Sequence, residues 1–338
     1  MGTFISNYDG AIFDLDGVAW LGGKPAPYAP ENFAIAVENG MQPMFLTNNA
    51  SRTPEQVADA LEKVGLHTTA NNILTSSMAA VSLAEQHLEP GAKVLAIGSE
   101  GLIGPLEKSS FVRVTSADDN PDAVIMGFFP EVGWKDLSEA ALAIRKGALF
   151  IATNLDATLP QERGFMIGNG SLVAAVVNAT GVKPLSAGKP EPAIYDTGVA
   201  MLGAHKPFSI GDRLDTDIRG AVAAKIPSLH VLTGVNSARD IMLAVNEERP
   251  TFLADDMRAL NEPYPDITKN GERWEVEGSW AYVDADGLHT DGLNGTELEL
   301  NSYRAAVHAV WEAIDSGKLT REQLADKLLN YTIVRKDS

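Results

Sequence analysis

At 338 residues with 45% hydrophobic side chains, the chain is long enough for two compact domains plus an addition. Its 27 Lys and Arg against 45 Asp and Glu leave a net charge of −18, which argues against nucleic acid or an anionic membrane as the main partner. The absence of cysteine excludes disulfides and thiolate metal sites, the six histidines show no clustered ligand spacing, and no apolar stretch approaches the roughly 18 residues of a membrane span.

In chain order, Ala11-Ile12-Phe13 reads as a buried strand that runs out at Asp14-Leu15-Asp16-Gly17. Strand side chains alternate, so Asp14 and Asp16 share a side while Leu15 points away. Ligands of open parallel sheets bind at the carboxyl ends of strands, where paired carboxylates can hold a cation and attack an electrophile. Residues 30–39 read as a helix closed by Gly40, and 41–46 as a strand. Met44-Phe45-Leu46 then gives way to Thr47-Asn48-Asn49, whose hydroxyl and backbone N–H groups suit a phosphate. Residues 54–64 read as a helix with Thr53 as N-cap, Pro54 at its first position and Gln56 completing a capping box. With a short strand at Ile73-Leu74, the alternation predicts a parallel sheet covered by helices on both faces.

This pattern pauses after about residue 80 and resumes near 185. Between them, strands at 94–97, 123–128 and 148–152 and helices near 135–146 and 171–180 make an inserted domain. Ser186-Ala187-Gly188-Lys189-Pro190-Glu191-Pro192 then sets a lysine just before a helix, where positive charge and N-terminal amides converge. Phe208-Ser209-Ile210-Gly211 ends a further strand, with Asp212 and Asp217 flanking the following turn. A helix near 216–225, a strand at 229–232 and a last piece at 252–260 follow. Beyond residue 262, Trp274, Val276, Trp280, Tyr282 and the Asp286-Gly287 turn predict a hairpin, and 299–315 and 321–330 read as helices, the second capped by Thr320 with Gln323. Asp284-Ala285-Asp286-Gly287 lacks the remaining ligands of a calcium loop.

Alone, each of these polar segments is an ordinary turn or helix start. In this order, each after an apolar run, Asp14-Leu15-Asp16-Gly17, Thr47, Lys189 and Gly211-Asp212 through Asp217 resemble the four motifs of the haloacid dehalogenase (HAD) superfamily of phosphohydrolases. Leu46-Thr47-Asn48-Asn49-Ala50-Ser51-Arg52, Gly188-Lys189-Pro190 and Gly211-Asp212-Arg213-Leu214-Asp215-Thr216-Asp217-Ile218 resemble its NagD and p-nitrophenylphosphatase branch, which has a large type II cap. The resemblance covers residues 8 to about 262 and implies an α/β protein. Its Rossmann-like core with a parallel sheet would comprise 1–80 and 185–262, its inserted α/β cap 81–184, and a small α+β appendage 263–338. Some family members carry an acetyltransferase-like segment in that last position. No glycine-rich pyrophosphate loop follows residue 262, which favours a packing or dimerisation element and leaves a homodimer as an open outcome.

The implied activity is Mg²⁺-dependent hydrolysis of a small phosphorylated metabolite, such as glycerol 3-phosphate, phosphoglycolate or a sugar phosphate, in the cytoplasm. Phosphoryl transfer needs an in-line nucleophile, charge neutralisation and proton management at the leaving group. By resemblance Asp14 is the nucleophile that forms an aspartyl-phosphate, and Asp16 the acid and base. Mg²⁺ would be held by Asp14, the backbone carbonyl of Asp16 and Asp212, with Asp217 in support, and oxygen-only ligands favour it over zinc. Thr47, Asn48, Asn49, Arg52 and Lys189 are the candidates for the phosphate. In the cap, Asn154 and Asp156 are candidates for the substrate, although Leu155 stands where the family has proline, and Asp215 is assigned a structural or exposed role. Phosphotransfer to an alcohol acceptor and a non-catalytic phosphometabolite-binding regulator are the alternatives. A regulator has no need of a nucleophile.

Overall fold

The computed structural model describes residues 2–161 and 163–336, which fall into two compact units, 1–43 with 204–338 and 44–203. In the first unit, parallel strands lie in the order Phe252–Ala254, Ser228–Val231, Pro207–Gly211 and Gly10–Phe13. Gly10–Phe13 and Ser228–Val231 are buried at every position, and Gly10–Phe13 accordingly reads as an unbroken small or apolar run, while Ser228–Val231 carries the buried His230. Phe13 pairs with Ile210 and Gly211 with His230, so Asp14 and Asp212 leave the ends of neighbouring strands together. The helix Ala29–Glu38 follows with proline in its first turn and Gly40 in the left-handed region just past its end.

The helix expected at 216–225 begins as a wide π-helical turn, Leu214–Ile218, before the α-helix Arg219–Ala223. Both Asp217 N and Ile218 N donate to the Arg213 carbonyl at 3.0 Å, and this wide turn carries Asp217 back over its own entry.

The C-terminal segment does not stand apart. Strands Thr268–Asn270, Arg273–Val276, Ser279–Asp284 and Gly287–Thr290 form an antiparallel sheet, and the helix Leu300–Asp315 packs on the face that buries Ala281 and Val283. That face and helix share one apolar cluster with Leu214, Ile218, Ile241, Met242 and Leu253. Trp311 Nε1 donates to the Ile241 carbonyl at 2.9 Å and Arg304 Nε to the Leu253 carbonyl at 3.0 Å. Of the aromatic residues read as packing, Trp274 lies against this cluster, whereas Trp280 and Tyr282 alternate with Ala281 and Val283 and stack on each other, half-buried, on the opposite face.

In the second unit, Gln42–Thr47 pairs in parallel with Ile73–Thr75 in the register Thr47 to Thr75. The helix Pro54–Lys63 carries the Thr53 and Gln56 capping box. A separate parallel sheet runs in the order Leu185–Ser186, Leu149–Ala152, Ala123–Met126, Lys93–Ile97 and Val112–Val114. The helices Trp134–Arg145 and Asn169–Thr180 bury Ala140, Ala143, Ile144, Val173 and Val176 in its core. Among the described residues, elements of this unit outside the sequence reading include the helices Ser76–Glu85 and Glu100–Lys108, the strands Val112–Val114 and Leu185–Ser186, and the hairpin of Thr158–Gln161 with Gly164–Ile167.

Candidate active site

Three of the predicted carboxylates converge in the first unit. Asp14, Asp212 and Asp217 each offer an oxygen, and these oxygens lie within 4.8 Å of one another. Asp14 extends the strand pairing through its N–H to the Ile210 carbonyl at 3.0 Å. Asp212 and Asp217 are buried, and each is fixed by a backbone amide, Asp212 Oδ2 by Val235 N at 2.6 Å and Asp217 Oδ2 by Arg213 N at 3.1 Å. Two glycines make room for Asp212. A Cβ on Gly17, whose φ is +92°, would fall 2.4 Å from its carboxylate, and a Cβ on Gly234 only 1.9 Å.

Like charges gathered out of water repel strongly unless something between them is positive. A set of oxygen donors alone, held in a cradle that any Cβ would fill, fits a hard divalent cation. Asp16 stands outside this trio. Its side chain is exposed and accepts the Trp20 indole N–H at 2.8 Å, an orientation that leaves only its backbone for a shared ion. Asp215 is exposed and bonded to Arg213 at 2.8 and 3.1 Å; burial raises its carboxyl, but the guanidinium overrides this and holds it below the ordinary range.

Beside the trio, His230 is fully buried on the strand Ser228–Val231, and its Nε2 lies 2.9 Å from the Asp212 carbonyl. A carbonyl only accepts, so Nε2 carries the proton. Burial pushes this imidazole down to about 4, and the ring is neutral at physiological pH.

The second unit gathers the phosphate candidates around Asn48. Thr47 is buried at the end of its strand, and its Oγ1 accepts Asn49 N at 3.1 Å. The Asn48 side chain spans two other segments. Its Oδ1 accepts Lys189 N at 2.8 Å, while its Nδ2 donates to the Lys189 carbonyl at 3.1 Å and to Asp156 Oδ2 at 3.2 Å. Asn154, expected to face substrate, is buried; its Nδ2 donates to the Asn48 carbonyl at 2.8 Å and its Oδ1 accepts Asp156 N at 3.2 Å. Lys189 is also buried, with Nζ 3.4 Å from the Leu46 carbonyl. Asn49 and Arg52 are exposed on the loop that follows Thr47.

The sequence reading missed the turn at 232–236, whose Val235 amide meets Asp212. Its signal was present: Thr233, Gly234 and Asn236 bring small and polar residues directly after the end of a buried strand.

The family described as haloacid dehalogenase-like hydrolase matches residues 11–112, and a second HAD-like hydrolase family matches 186–260. The chain is 41% identical to the D-glycerol 3-phosphate phosphatase of Mycobacterium tuberculosis over 93% of its own length and 88% of the relative. It is 33% identical to an acid sugar phosphatase of Staphylococcus saprophyticus, over 78% of this chain and all of that one. The crystal structure of the M. tuberculosis glycerol phosphate phosphatase in complex with magnesium superposes with a TM-score of 0.83 at 36% identity, covering 100% of this chain and 96% of that one.

Proposed function

Because the chain belongs to the haloacid dehalogenase-like hydrolases, we propose that it is a Mg²⁺-dependent phosphatase of small phosphorylated metabolites, with glycerol 3-phosphate the first substrate to test. The observation that carries this reading is the convergence of Asp14 and Asp212, at neighbouring strand ends, with Asp217 from the turn that follows. The phosphatase names of its relatives and the magnesium in one of them support it.

In this reading Asp14, Asp212 and Asp217 hold Mg²⁺ together with the backbone carbonyl of Asp16, and the bound ion neutralises charge on the phosphoryl oxygens. A carboxylate oxygen of Asp14 attacks phosphorus and the bond to the ester oxygen breaks, while Asp16 gives that oxygen its proton. Water then attacks the phosphorus of the aspartyl-phosphate. Its proton returns to Asp16, Asp14 leaves as carboxylate and inorganic phosphate is released. Thr47, the Asn48 and Asn49 amides, Lys189 and Arg52 bind or attract the phosphoryl group, Asp156 meets the substrate side, and Asn154 serves by holding Asn48.

Residues 1–80 with 185–262 act as the catalytic core and 81–184 as the substrate-selecting cap, a division supported by the separate sheet, four of whose five strands, Lys93–Ile97, Val112–Val114, Ala123–Met126 and Leu149–Ala152, fall within 81–184. The cytoplasm is the proposed compartment, and a homodimer is the association to be checked by light scattering. Phosphate release from glycerol 3-phosphate, phosphoglycolate and sugar phosphates, with and without Mg²⁺, tests the proposal. Mg²⁺-dependent turnover of at least one is expected. Binding without release in every case would overturn it.

A further inference from the structure

The turn after the strand Ser228–Val231 carries none of the four motifs, yet it bonds to both acidic loops. Thr233 Oγ1 donates to the Gly17 carbonyl at 2.5 Å, on the loop that begins with Asp14. Val235 N donates to Asp212 Oδ2 at 2.6 Å and Asn236 N to the Asp212 carbonyl at 3.3 Å. The Asn236 side chain accepts Leu214 N at 2.8 Å, and Gly234 lies so close to Asp212 that a Cβ there would strike its carboxylate.

Pairing within the sheet fixes the strands, but it stops at Asp14 and Asp212, where the carboxylates begin. Past that point the repulsion among three carboxylates pushes the loops apart, and bonds from a third segment oppose it. Such partners orient ligands that are themselves bonded to the ion. We propose that Thr233, Val235 and Asn236 are positioning residues that fix the spacing of Asp14 from Asp212, and thereby set the affinity of the site for its divalent cation. Thr233 holds the first loop through its hydroxyl; Val235 and Asn236 hold the second. This inference rests on the reading of the carboxylate trio as a cation site.

The test is calorimetric titration of the full chain with Mg²⁺, beside its thermal melt and the Mg²⁺ dependence of phosphate release. Thr233→Val removes the hydroxyl at nearly constant shape, and Thr233→Ser keeps it. Thr233→Val should bind Mg²⁺ roughly tenfold more weakly, with Thr233→Ser close to the parent, and its rate should recover at high Mg²⁺. Asn236→Ala, acting on the second loop alone, carries the same expectation and replaces Thr233→Val if that chain does not fold. Parent-like Mg²⁺ affinity in the variant, whatever happens to its melting temperature, would overturn the positioning role. So would an equal loss in Thr233→Ser, which would assign the effect to packing. A parent chain that binds no Mg²⁺, or an Asp212→Asn chain that binds it as well as the parent, would overturn the cation site itself and this inference with it.

Discussion

Ending the chain at residue 262 should unfold the first unit rather than trim it. The sequence reading treats 263–338 as an appendage beyond the motif-bearing core, but the apolar cluster crosses that boundary. Leu214, Ile218, Ile241, Met242 and Leu253 are all buried, and they share this cluster with Val276, Val283, Tyr303, Val307, Val310 and Trp311. Fully exposing an aliphatic side chain of this size costs about 1.5–3 kcal/mol. If each of the five loses half its cover, the loss is about 4–8 kcal/mol, against a typical total stability of 5–15 kcal/mol. The Ile241 and Leu253 carbonyls lose their Trp311 and Arg304 donors as well, and Asp255 loses its bonds from Arg335 at 2.6 and 2.7 Å. Differential scanning calorimetry of chain 1–262 should therefore show no cooperative transition, or one lowered by more than about 10 °C, and phosphate release should disappear with the fold. Trp311→Ala offers a milder version, at about 3–5 kcal/mol. A 1–262 chain that melts cooperatively within about 4 °C of the parent, with unchanged turnover, would refute the shared-core argument.

Asp14→Asn should abolish phosphate release while the chain still binds a phosphate ester and melts like the parent; measurable multiple turnover would remove its role as nucleophile. Asp16→Asn should be far slower on glycerol 3-phosphate but less impaired on p-nitrophenyl phosphate, whose leaving group needs little protonation, and equal losses in the two assays would argue against an acid role. Asn154→Ala should lower kcat/KM about tenfold on both esters, since it acts through the Asn48 carbonyl; a changed substrate ranking with an unchanged p-nitrophenyl phosphate rate would restore direct substrate contact. Burial pushes His230 down to about 4, and burial with the nearby Arg249 does the same to His308. The unfolded chain, with histidines near 6.5, binds more protons between about pH 4 and 6.5, so their contribution is complete above 6.5 and declines as pH falls toward 4, by about 2 kcal/mol each at pH 5. Urea unfolding at pH 7 and pH 5 should show this loss, and His308→Gln should reduce it; a parent equally stable at both would contradict the buried neutral state.

What could be read from the sequence and what could not divide along a physical line. The strand ends at Asp14, Thr47 and Asp212 were legible because a buried parallel strand must be apolar and its ligand-binding end polar, a contrast confined to a few adjacent residues. The Thr53 and Thr320 capping boxes were legible for the same reason, since donor and acceptor stand three residues apart. Asn154 misled because a polar residue after a strand reads as exposed, whereas its amide is satisfied 106 positions away by Asn48. The bond from Thr233 to Gly17 spans 216 positions, and no local pattern encodes it. Packing of 263–338 had a signal in Trp274 and Val276, but apolar character states only that a side chain must be covered, not by what. Apolar character is therefore a property of the residue, while burial of a polar side chain such as Asn154, and the partner of any side chain, are properties of the fold. In this chain the unforeseen partners, Asn154 on Asn48 and Thr233 on Gly17, adjoin residues whose types had already been recognised. Ligand chemistry is thus carried by residue type, and its geometry by long-range contacts that become visible only when the strands are assembled.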